Sequence, residues 1–303
     1  MQTLLSVLNE TLFLFLCMLI GFVLNKARIL PDNASSAISR LLTYVFMPAL
    51  TFSSFYAHFT VDNLRSYGNL LLYGVGFLAF SILLALLLGP LFTKDKAELG
   101  IYRYSIVIAN IGYMGNSIVL GLFGEEKLCL YLVFCIPLNF FIFSVGLVWL
   151  TGGKFTWRSL LNPAFIGMFL GIILGLTRCP LPAFGVKLVD SCKACFSPVA
   201  MILSGFVVAR YRFKDLLTQK KVYFLSLLRL VAIPLAVVGI CRLIGTERDV
   251  TVLVTVAAAM PLGLNTIVFP AAYGGNDKPG AAMALISNIL GILTIPLILY
   301  LVL

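Results

Sequence analysis

Residues 111–120 read Ile-Gly-Tyr-Met-Gly-Asn-Ser-Ile-Val-Leu, and residues 261–270 read Pro-Leu-Gly-Leu-Asn-Thr-Ile-Val-Phe-Pro. The four residues from Asn116 align with the four from Asn265, at an offset of 149 positions (265 minus 116). Both stretches place helix-breaking or polar residues inside long apolar runs. A backbone polar group left unpaired in hydrocarbon costs several kcal/mol, so such breaks are tolerated only beside a cavity or other protein. Two interrupted helices at corresponding positions are typical of a transporter's substrate site.

Composition places the chain in the membrane. Its 303 residues are 61% hydrophobic and 11% charged, with a mean hydropathy of +1.05, whereas soluble domains carry about 25% charged residues. Apolar runs of about 20 residues, enough to cross the bilayer core, recur along the sequence. The formal charge of +10 does not indicate nucleic acid, because the basic residues lie in short loops. We predict an all-α polytopic protein whose principal partner is the lipid bilayer.

The hydropathy pattern predicts ten transmembrane helices, which we call spans 1 to 10. They cover residues 6–24, 37–57, 68–92, 101–122, 128–150, 163–177, 188–208, 222–244, 250–273 and 280–302. No connection between them has room for a soluble domain. With the N-terminus outside, 14 of the 22 Lys and Arg residues fall in cytoplasmic loops and 7 in outer loops. This bias predicts that both termini are extracytoplasmic. We expect the protein in the plasma membrane.

Further pairs of residues support an internal repeat. Asn139 and Asn288 are also 149 positions apart, and Pro48 and Pro198 are 150 apart. We therefore predict two five-helix repeats, residues 1–153 and 154–303. Since five is odd, the second repeat enters the membrane inverted, a recurrent plan among secondary transporters. Chance matching of common residues in apolar sequence is the alternative.

The interrupted spans and their neighbours supply the candidate substrate site. Glycine and proline permit or force a break, and the first N–H groups of a restarting helix attract anions. The candidates are Asn110, Gly112, Tyr113, Gly115, Asn116 and Ser117 in span 4, Pro261, Gly263, Asn265 and Thr266 in span 9, and Asn139 and Asn288 in spans 5 and 10. The alternative is structural: Gly and Pro are common in membrane helices, and Asn can bond across helices.

The lack of acidic residues in the middle of the spans favours an anionic substrate. All twelve acidic residues lie in loops or near span ends, whereas proton relays and cation pumps place carboxylates within the membrane. Arg229 is the basic residue well inside a span. We expect its side chain to extend to the cytoplasmic surface; alternatively, it raises the potential felt by an anion.

The remaining motifs predict no catalytic residue, no metal site and no cofactor. His58 is the only histidine, and the C-x-x-C of Cys192 and Cys195 has no second pair. The small residues Gly167, Gly171 and Gly175 predict close helix packing, within the bundle rather than at a dimer interface.

The sequence resembles the auxin efflux carrier family, the bacterial relatives of the plant PIN carriers. Residues 45–50 (Val-Phe-Met-Pro-Ala-Leu), residues 110–115 (Asn-Ile-Gly-Tyr-Met-Gly), Pro261 with Asn265, and residues 294–297 (Thr-Ile-Pro-Leu) are similar to its motifs. One departure is clear: Asn116 and Ser117 stand where the family has Ile-Pro, so no proline accounts for a break in span 4.

The resemblance implies crossed, broken spans 4 and 9 within a moving transport domain of spans 3–5 and 8–10. Spans 1, 2, 6 and 7 would form a scaffold, often a homodimer. Asn110 and Asn265 would lie at the crossing. The implied substrates are organic anions: auxin in plants, and small carboxylates such as malate or malonate in bacteria.

We therefore predict a secondary transporter that moves a small carboxylate by alternating access. Two alternatives stay open. One is a sodium- or proton-coupled symporter of the bile-acid type, and the other is a membrane sensor that binds its ligand without transporting it. The sequence leaves the particular anion, the direction of transport and the coupling ion open.

Overall fold

The computed structural model describes residues 2–59, 61, 64–153, 163–273, 276 and 278–303. These ranges are almost entirely helical and contain an isolated β-bridge but no strand. The α-helices are α1 (Gln2–Lys26), α2 (Ala34–Leu41), α3 (Met47–His58), α4 (Leu64–Phe92), α5 (Lys96–Val107), α6 (Asn116–Phe141), α7 (Leu147–Thr151), α8 (Pro163–Leu176), α9 (Ala183–Val208), α10 (Phe213–Leu217), α11 (Lys220–Leu227), α12 (Ile233–Leu243), α13 (Arg248–Ala259), α14 (Asn265–Tyr273) and α15 (Lys278–Tyr300). Wider π-helical turns cover Leu42–Phe46, Ile111–Gly115, Ile142–Gly146 and Leu228–Ala232.

The class predicted from composition, an all-α polytopic membrane protein, is confirmed. Within the described ranges, six continuous helical runs are long and apolar enough to cross a membrane. They are Leu5–Lys26, Tyr67–Phe92, Ile111–Thr151, Ala183–Val208, Lys220–Leu243 and Lys278–Tyr300, and Pro163–Leu176 is a shorter apolar helix.

The other predicted spans correspond to interrupted or merged helices. Span 2 falls on α2 and α3, joined by a π-helical turn, and span 9 is divided between α13 and α14. The run Ile111–Thr151 contains the second half of span 4 and all of span 5. These parts are separated at Gly124, whose φ of 80° and ψ of −177° suit glycine alone. The count of ten crossings and the inverted repeat stay predictions.

Spans 1, 2, 6 and 7 pack through direct contact of their backbones. α1 lies against α9, where a Cβ placed on Gly205 would be 1.7 Å from the Met18 carbonyl oxygen. α8 lies against α3: a Cβ on Gly167 would be 2.5 Å from the Pro48 carbonyl oxygen, and one on Gly171 would be 2.6 Å from that of Phe52. The small-residue repeat of span 6 therefore packs within the chain, as predicted.

The remaining helices pack mainly with one another. α4 contacts both α5 and α6, while α15 contacts α11, α13 and α14. The two groups also meet, since α15 lies against α1 and α9. The interrupted spans also contact the first group: α14 of span 9 lies against α2 and α9, and the π-helical turn Ile111–Gly115 of span 4 lies against α9.

Candidate functional site

Span 4 is broken although it lacks the usual proline. α5 ends at Val107, and helical structure resumes with the π-helical turn that begins at Ile111. Between them Asn110 has φ −75° and ψ 51°, outside the helical region. The break therefore lies at Asn110, the first residue of the motif 110–115, and not at Ser117, where the family has its proline.

Span 9 is broken at its proline. α13 ends at Ala259, Met260 is extended with φ −65° and ψ 151°, and α14 begins at Asn265. The freed backbone is partly satisfied from span 10, because the Leu262 N–H donates to Ser287 Oγ over 3.1 Å. A proline removes a donor and clashes with the preceding helical turn, which accounts for this interruption.

The backbones at the two breaks are hydrogen-bonded to each other. Ala109 and Leu262 form an antiparallel β-bridge, and the Asn110 N–H donates to the Pro261 carbonyl oxygen over 2.8 Å. Gly263 allows the close approach, since a Cβ there would be 2.9 Å from the Ile108 carbonyl oxygen. Backbone groups released at membrane depth thus find partners across the contact, which we call the crossing.

A small cavity of about 20 Å³, enough for a single water molecule, lies beside the crossing as narrow gaps between side chains. One wall comes from the broken spans and span 5, and the other from spans 2 and 7. We call it the crossing cavity; it is lined by Thr43, Met47, Ala109, Asn110, Ile111, Gly112, Tyr113, Asn139, Ile142, Phe143, Phe196, Leu264, Asn265 and Phe269. Of the predicted site residues, Asn110, Gly112, Tyr113, Asn139 and Asn265 meet here.

Asn110 is the most conspicuous polar group of this cavity. Its residue is only 2% exposed, and within the described part of the chain neither Oδ1 nor Nδ2 has a hydrogen-bond partner. An unsatisfied buried polar group costs about 1–3 kcal/mol. A side chain that carries this cost while lining a cavity is well placed to bind a ligand.

Asn265 is held by a residue that the sequence did not single out. Its Nδ2 donates to the hydroxyl oxygen of Tyr104 over 2.7 Å, and Tyr104 is fully buried in α5. A tyrosine in an apolar helix carries no sequence signal of such a role. Only the crossing itself brings the two residues together.

Four other candidates shape the crossing instead of lining the cavity. Pro261 and Gly263 form the contact between the breaks, and the Thr266 hydroxyl donates to the Gly263 carbonyl oxygen over 2.8 Å. Gly115 leaves space for Tyr131, whose hydroxyl donates to the Ile111 carbonyl oxygen over 3.2 Å.

Asn288 is likewise outside the cavity. It lies in α15, where its Nδ2 donates to the Ala284 carbonyl oxygen of its own helix over 2.7 Å. The neighbouring Ser287 is the residue of span 10 that contacts the break in span 9.

The structure places Asn116 and Ser117 in a different space. They line an open cleft of about 470 Å³ that also contains Asp190, Lys193 and Glu125. Lys193 Nζ lies 2.5 Å from Glu125 Oε1 in this cleft, which we call the Lys193 cleft. The candidate residues of span 4 are thus divided between two spaces.

An aromatic pair joins spans 4 and 7 at the crossing cavity. The rings of Tyr113 and Phe196 stack with centroids 5.0 Å apart, and both residues line the crossing cavity. Asn116, three residues after Tyr113, and Ser197, next to Phe196, line the Lys193 cleft. Close neighbours of this pair along the chain therefore line the cleft.

The predicted direction of the Arg229 side chain is wrong. Its side chain does not extend to the membrane surface: it is fully buried, with Cζ 6.0 Å from the centroid of the Phe77 ring. The sequence gives its depth relative to Lys220 and Lys221 but not the direction of its side chain. It lies in the π-helical turn Leu228–Ala232, between α11 and α12.

Known proteins resemble this chain over nearly its whole length. The sequence model of a family described as membrane transport protein matches residues 6–154 and 144–299. An uncharacterized transporter of Methanocaldococcus jannaschii is 25% identical over 304 residues, covering 96% of this chain and 97% of that protein. An uncharacterized transporter of Methanothermobacter thermautotrophicus is 25% identical over 309 residues, covering 98% of this chain and 96% of that protein. Both relatives are named as transporters, not as enzymes. The chain therefore belongs to this family of membrane transport proteins, the auxin efflux carrier family indicated by its motifs.

Proposed function

We propose that this protein is a secondary transporter that carries a small carboxylate across the plasma membrane by alternating access. The observation that carries the proposal is the Asn110 side chain, which is buried at the crossing and has no partner among the described residues. Its amide can donate to a carboxylate without breaking a bond within the protein. Asn139 and Asn265 add further amide groups to the same cavity.

The electrostatics of the cavity favour an anion. Among the described residues that line it, none carries a carboxylate. α14 begins at Asn265, so the positive end of its dipole lies at the cavity. The N–H groups of Thr266, Ile267 and Val268 already donate to the carbonyl oxygens of Gly263 and Leu264, so the dipole acts there without them as direct donors. Amide donors and a helix N-terminus together suit a carboxylate better than a cation.

The walls of the cavity support a division into two moving parts. Thr43, Met47 and Phe196 belong to the predicted scaffold, while Asn110 and Asn265 belong to the predicted transport helices. A ligand held between them would be exposed to one side of the membrane or the other as the groups shift. We propose this relative motion as the transport step.

Open clefts at the two ends of spans 4 and 5 offer routes to the cavity. The Lys193 cleft lies at one end, and a cleft of about 520 Å³ lined by Arg103, Trp149 and Asn276 lies at the other. In this proposal the Tyr113–Phe196 pair closes the first route. Its rings would separate when the cavity opens toward the Lys193 cleft.

Thermal unfolding of the purified protein with malonate, malate and monocarboxylates tests the binding step. A ligand at 100 times its Kd adds about 2.7 kcal/mol to stability, a readily measured shift. Uptake of the same anions into proteoliposomes tests transport.

Binding and uptake without sodium support the proposal, while a strict need for sodium or a proton gradient supports a symporter. Binding without uptake supports a sensor, and no binding of any carboxylate contradicts the proposed substrate class.

A further inference from the structure

Arg229 carries a charge in the interior of the helix bundle. The residue is fully buried, and in the described part of the chain none of its three guanidinium nitrogens has a hydrogen-bond partner. The ring of Phe77 faces it, with Cζ 6.0 Å from the ring centroid. An aromatic face compensates only a small part of the cost of burying a cation.

No carboxylate in the described chain balances this charge. The two ion pairs found there join Lys127 to Asp249 and Lys193 to Glu125, both away from Arg229. Intramembrane charges normally pair with one another or face a cavity or a ligand route. A buried arginine that the protein itself leaves unpaired therefore indicates an anion that comes from outside the protein.

The turn that carries Arg229 is connected to the crossing through α13. α13 packs against the π-helical turn Leu228–Ala232 and also against the π-helical turn Ile111–Gly115 of span 4. Ile111 in turn lines the crossing cavity. One helix therefore contacts both the segment of the buried charge and the segment of the cavity wall, and in a dry interior the field of that charge is only weakly screened.

Other buried polar atoms around the same turn also lack partners. They include Ser226 Oγ, one helical turn before Arg229, and Thr255 Oγ1 and Asn288 Oδ1. The last two belong to α13 and α15, both of which pack against the π-helical turn of Arg229. None of these uncharged oxygens is hydrogen-bonded to the guanidinium, and none could offset its net charge.

We propose that Arg229 determines the charge selectivity of the carrier. It acts as a fixed internal cation that attracts a small carboxylate to the crossing and makes a co-transported cation unnecessary. This inference rests on the proposed function and deepens it. It requires that the wild-type protein bind a carboxylate equally well with and without sodium, and that the affinity depend on the charge at position 229.

The test uses purified full-length protein and malonate as the probe. Its Kd is measured by ligand-dependent thermal unfolding in sodium buffer and in choline buffer of equal ionic strength. The variants are Arg229→Met, which removes the charge at similar length, and Arg229→Lys, which retains it. Ser226→Ala is the matched control, because it changes a buried, unpartnered side chain of the same helical run.

We expect the same wild-type Kd in both buffers. Arg229→Met should weaken malonate binding at least about tenfold, which corresponds to about 1.4 kcal/mol. Its unfolding temperature without malonate should be unchanged or higher, because an unpaired buried charge has been removed. Arg229→Lys should retain most of the affinity, and Ser226→Ala should match the wild type.

Two outcomes overturn the inference, and the first of them leaves the proposed function intact. One is a folded Arg229→Met protein that binds malonate as tightly as the wild type. The other is wild-type binding that needs sodium, a comparison that does not depend on any variant folding. If the wild type binds neither malonate nor any other carboxylate, the proposed function fails and this inference fails with it.

Discussion

Asn110 tests the substrate site most directly, because its side chain makes no hydrogen bond within the described protein. Replacing it with alanine removes ligand donors but no intramolecular bond. We expect Asn110→Ala to lower carboxylate uptake into proteoliposomes at least about tenfold, the loss of one charge-assisted hydrogen bond of about 1.5–3 kcal/mol. The unfolding temperature without ligand should not fall. Asn69→Ala, the same change on the exposed surface of α4, is the control. Unimpaired uptake by Asn110→Ala would exclude this residue from the site.

Tyr104 is predicted to position Asn265 instead of contacting the substrate. In Tyr104→Phe the Asn265 amide loses its acceptor at 2.7 Å and becomes free to rotate. We expect weaker carboxylate binding and a loss of about 1–3 kcal/mol in the free energy of unfolding.

The double variant Tyr104→Phe with Asn265→Ala separates positioning from direct contact. If Tyr104 acts only through Asn265, adding Tyr104→Phe to Asn265→Ala should not weaken malonate binding further. Additive losses of affinity, measured by the same unfolding titration, would show that the tyrosine has a role of its own.

Some of these residues can be predicted from the sequence and others cannot. Asn110 and Asn265 were found because they accompany helix-breaking motifs, and such motifs are local. Tyr104 and Arg229 act through contacts between different spans. Neither the partner of Tyr104 nor the inward direction of the Arg229 side chain can be derived from spacing along one helix.

The contact between the two breaks explains how span 4 is interrupted without a proline of its own. The Asn110 N–H donates to the Pro261 carbonyl oxygen over 2.8 Å, so the backbone around the proline of span 9 supports both interruptions.

Gly263 makes this contact possible, and its substitution tests the crossing. In Gly263→Ala the new Cβ would lie 2.9 Å from the Ile108 carbonyl oxygen. We expect a lower unfolding temperature together with loss of carboxylate binding.

The control for that substitution is Gly239→Ala in α12. Gly239 is exposed, and a Cβ there would meet no atom within 4 Å. Alanine favours helix over glycine, so the unfolding temperature should be unchanged or slightly higher. Equal behaviour of the two variants would argue that the breaks are not held together by their close approach.

The motifs predict that spans 4 and 9 are interrupted better than they predict where each interruption falls. Asn116 and Ser117 line the Lys193 cleft, although they align with Asn265 and Thr266. Helical structure resumes at Ile111 after the break in span 4 and at Asn265 after the break in span 9, so Asn116 lies more than one helical turn beyond its break. The π-helical turn Ile111–Gly115 also alters the rotation of the helix that follows.

At the scale of the whole molecule, contacts between loops place both termini on one face. Arg242 and Arg248, from the connection of spans 8 and 9, donate to the carbonyl oxygens of Leu301 and Leu303. Lys127 pairs with Asp249, which joins the connection of spans 4 and 5 to that same face.

The N-terminal helix reaches this face as well. The Glu10 carboxyl group lies against Gly121, near the end of span 4, at 2.7 Å from the position of a Cβ there. The start of the chain and its end thus lie beside the same connections. The distribution of Lys and Arg then decides which side of the membrane this face occupies.

We predict that both termini are extracytoplasmic. Alkaline phosphatase fused after Leu303 should therefore be active, and green fluorescent protein at the same position should be dark. Fusions after Gln219, between the predicted cytoplasmic residues Arg210 and Lys221, should give the opposite pattern and serve as the internal control. A fluorescent C-terminal fusion with an inactive phosphatase would invert the assignment of sides. The Lys193 cleft would then be the cytoplasmic entrance, although the crossing and its cavity would be unchanged.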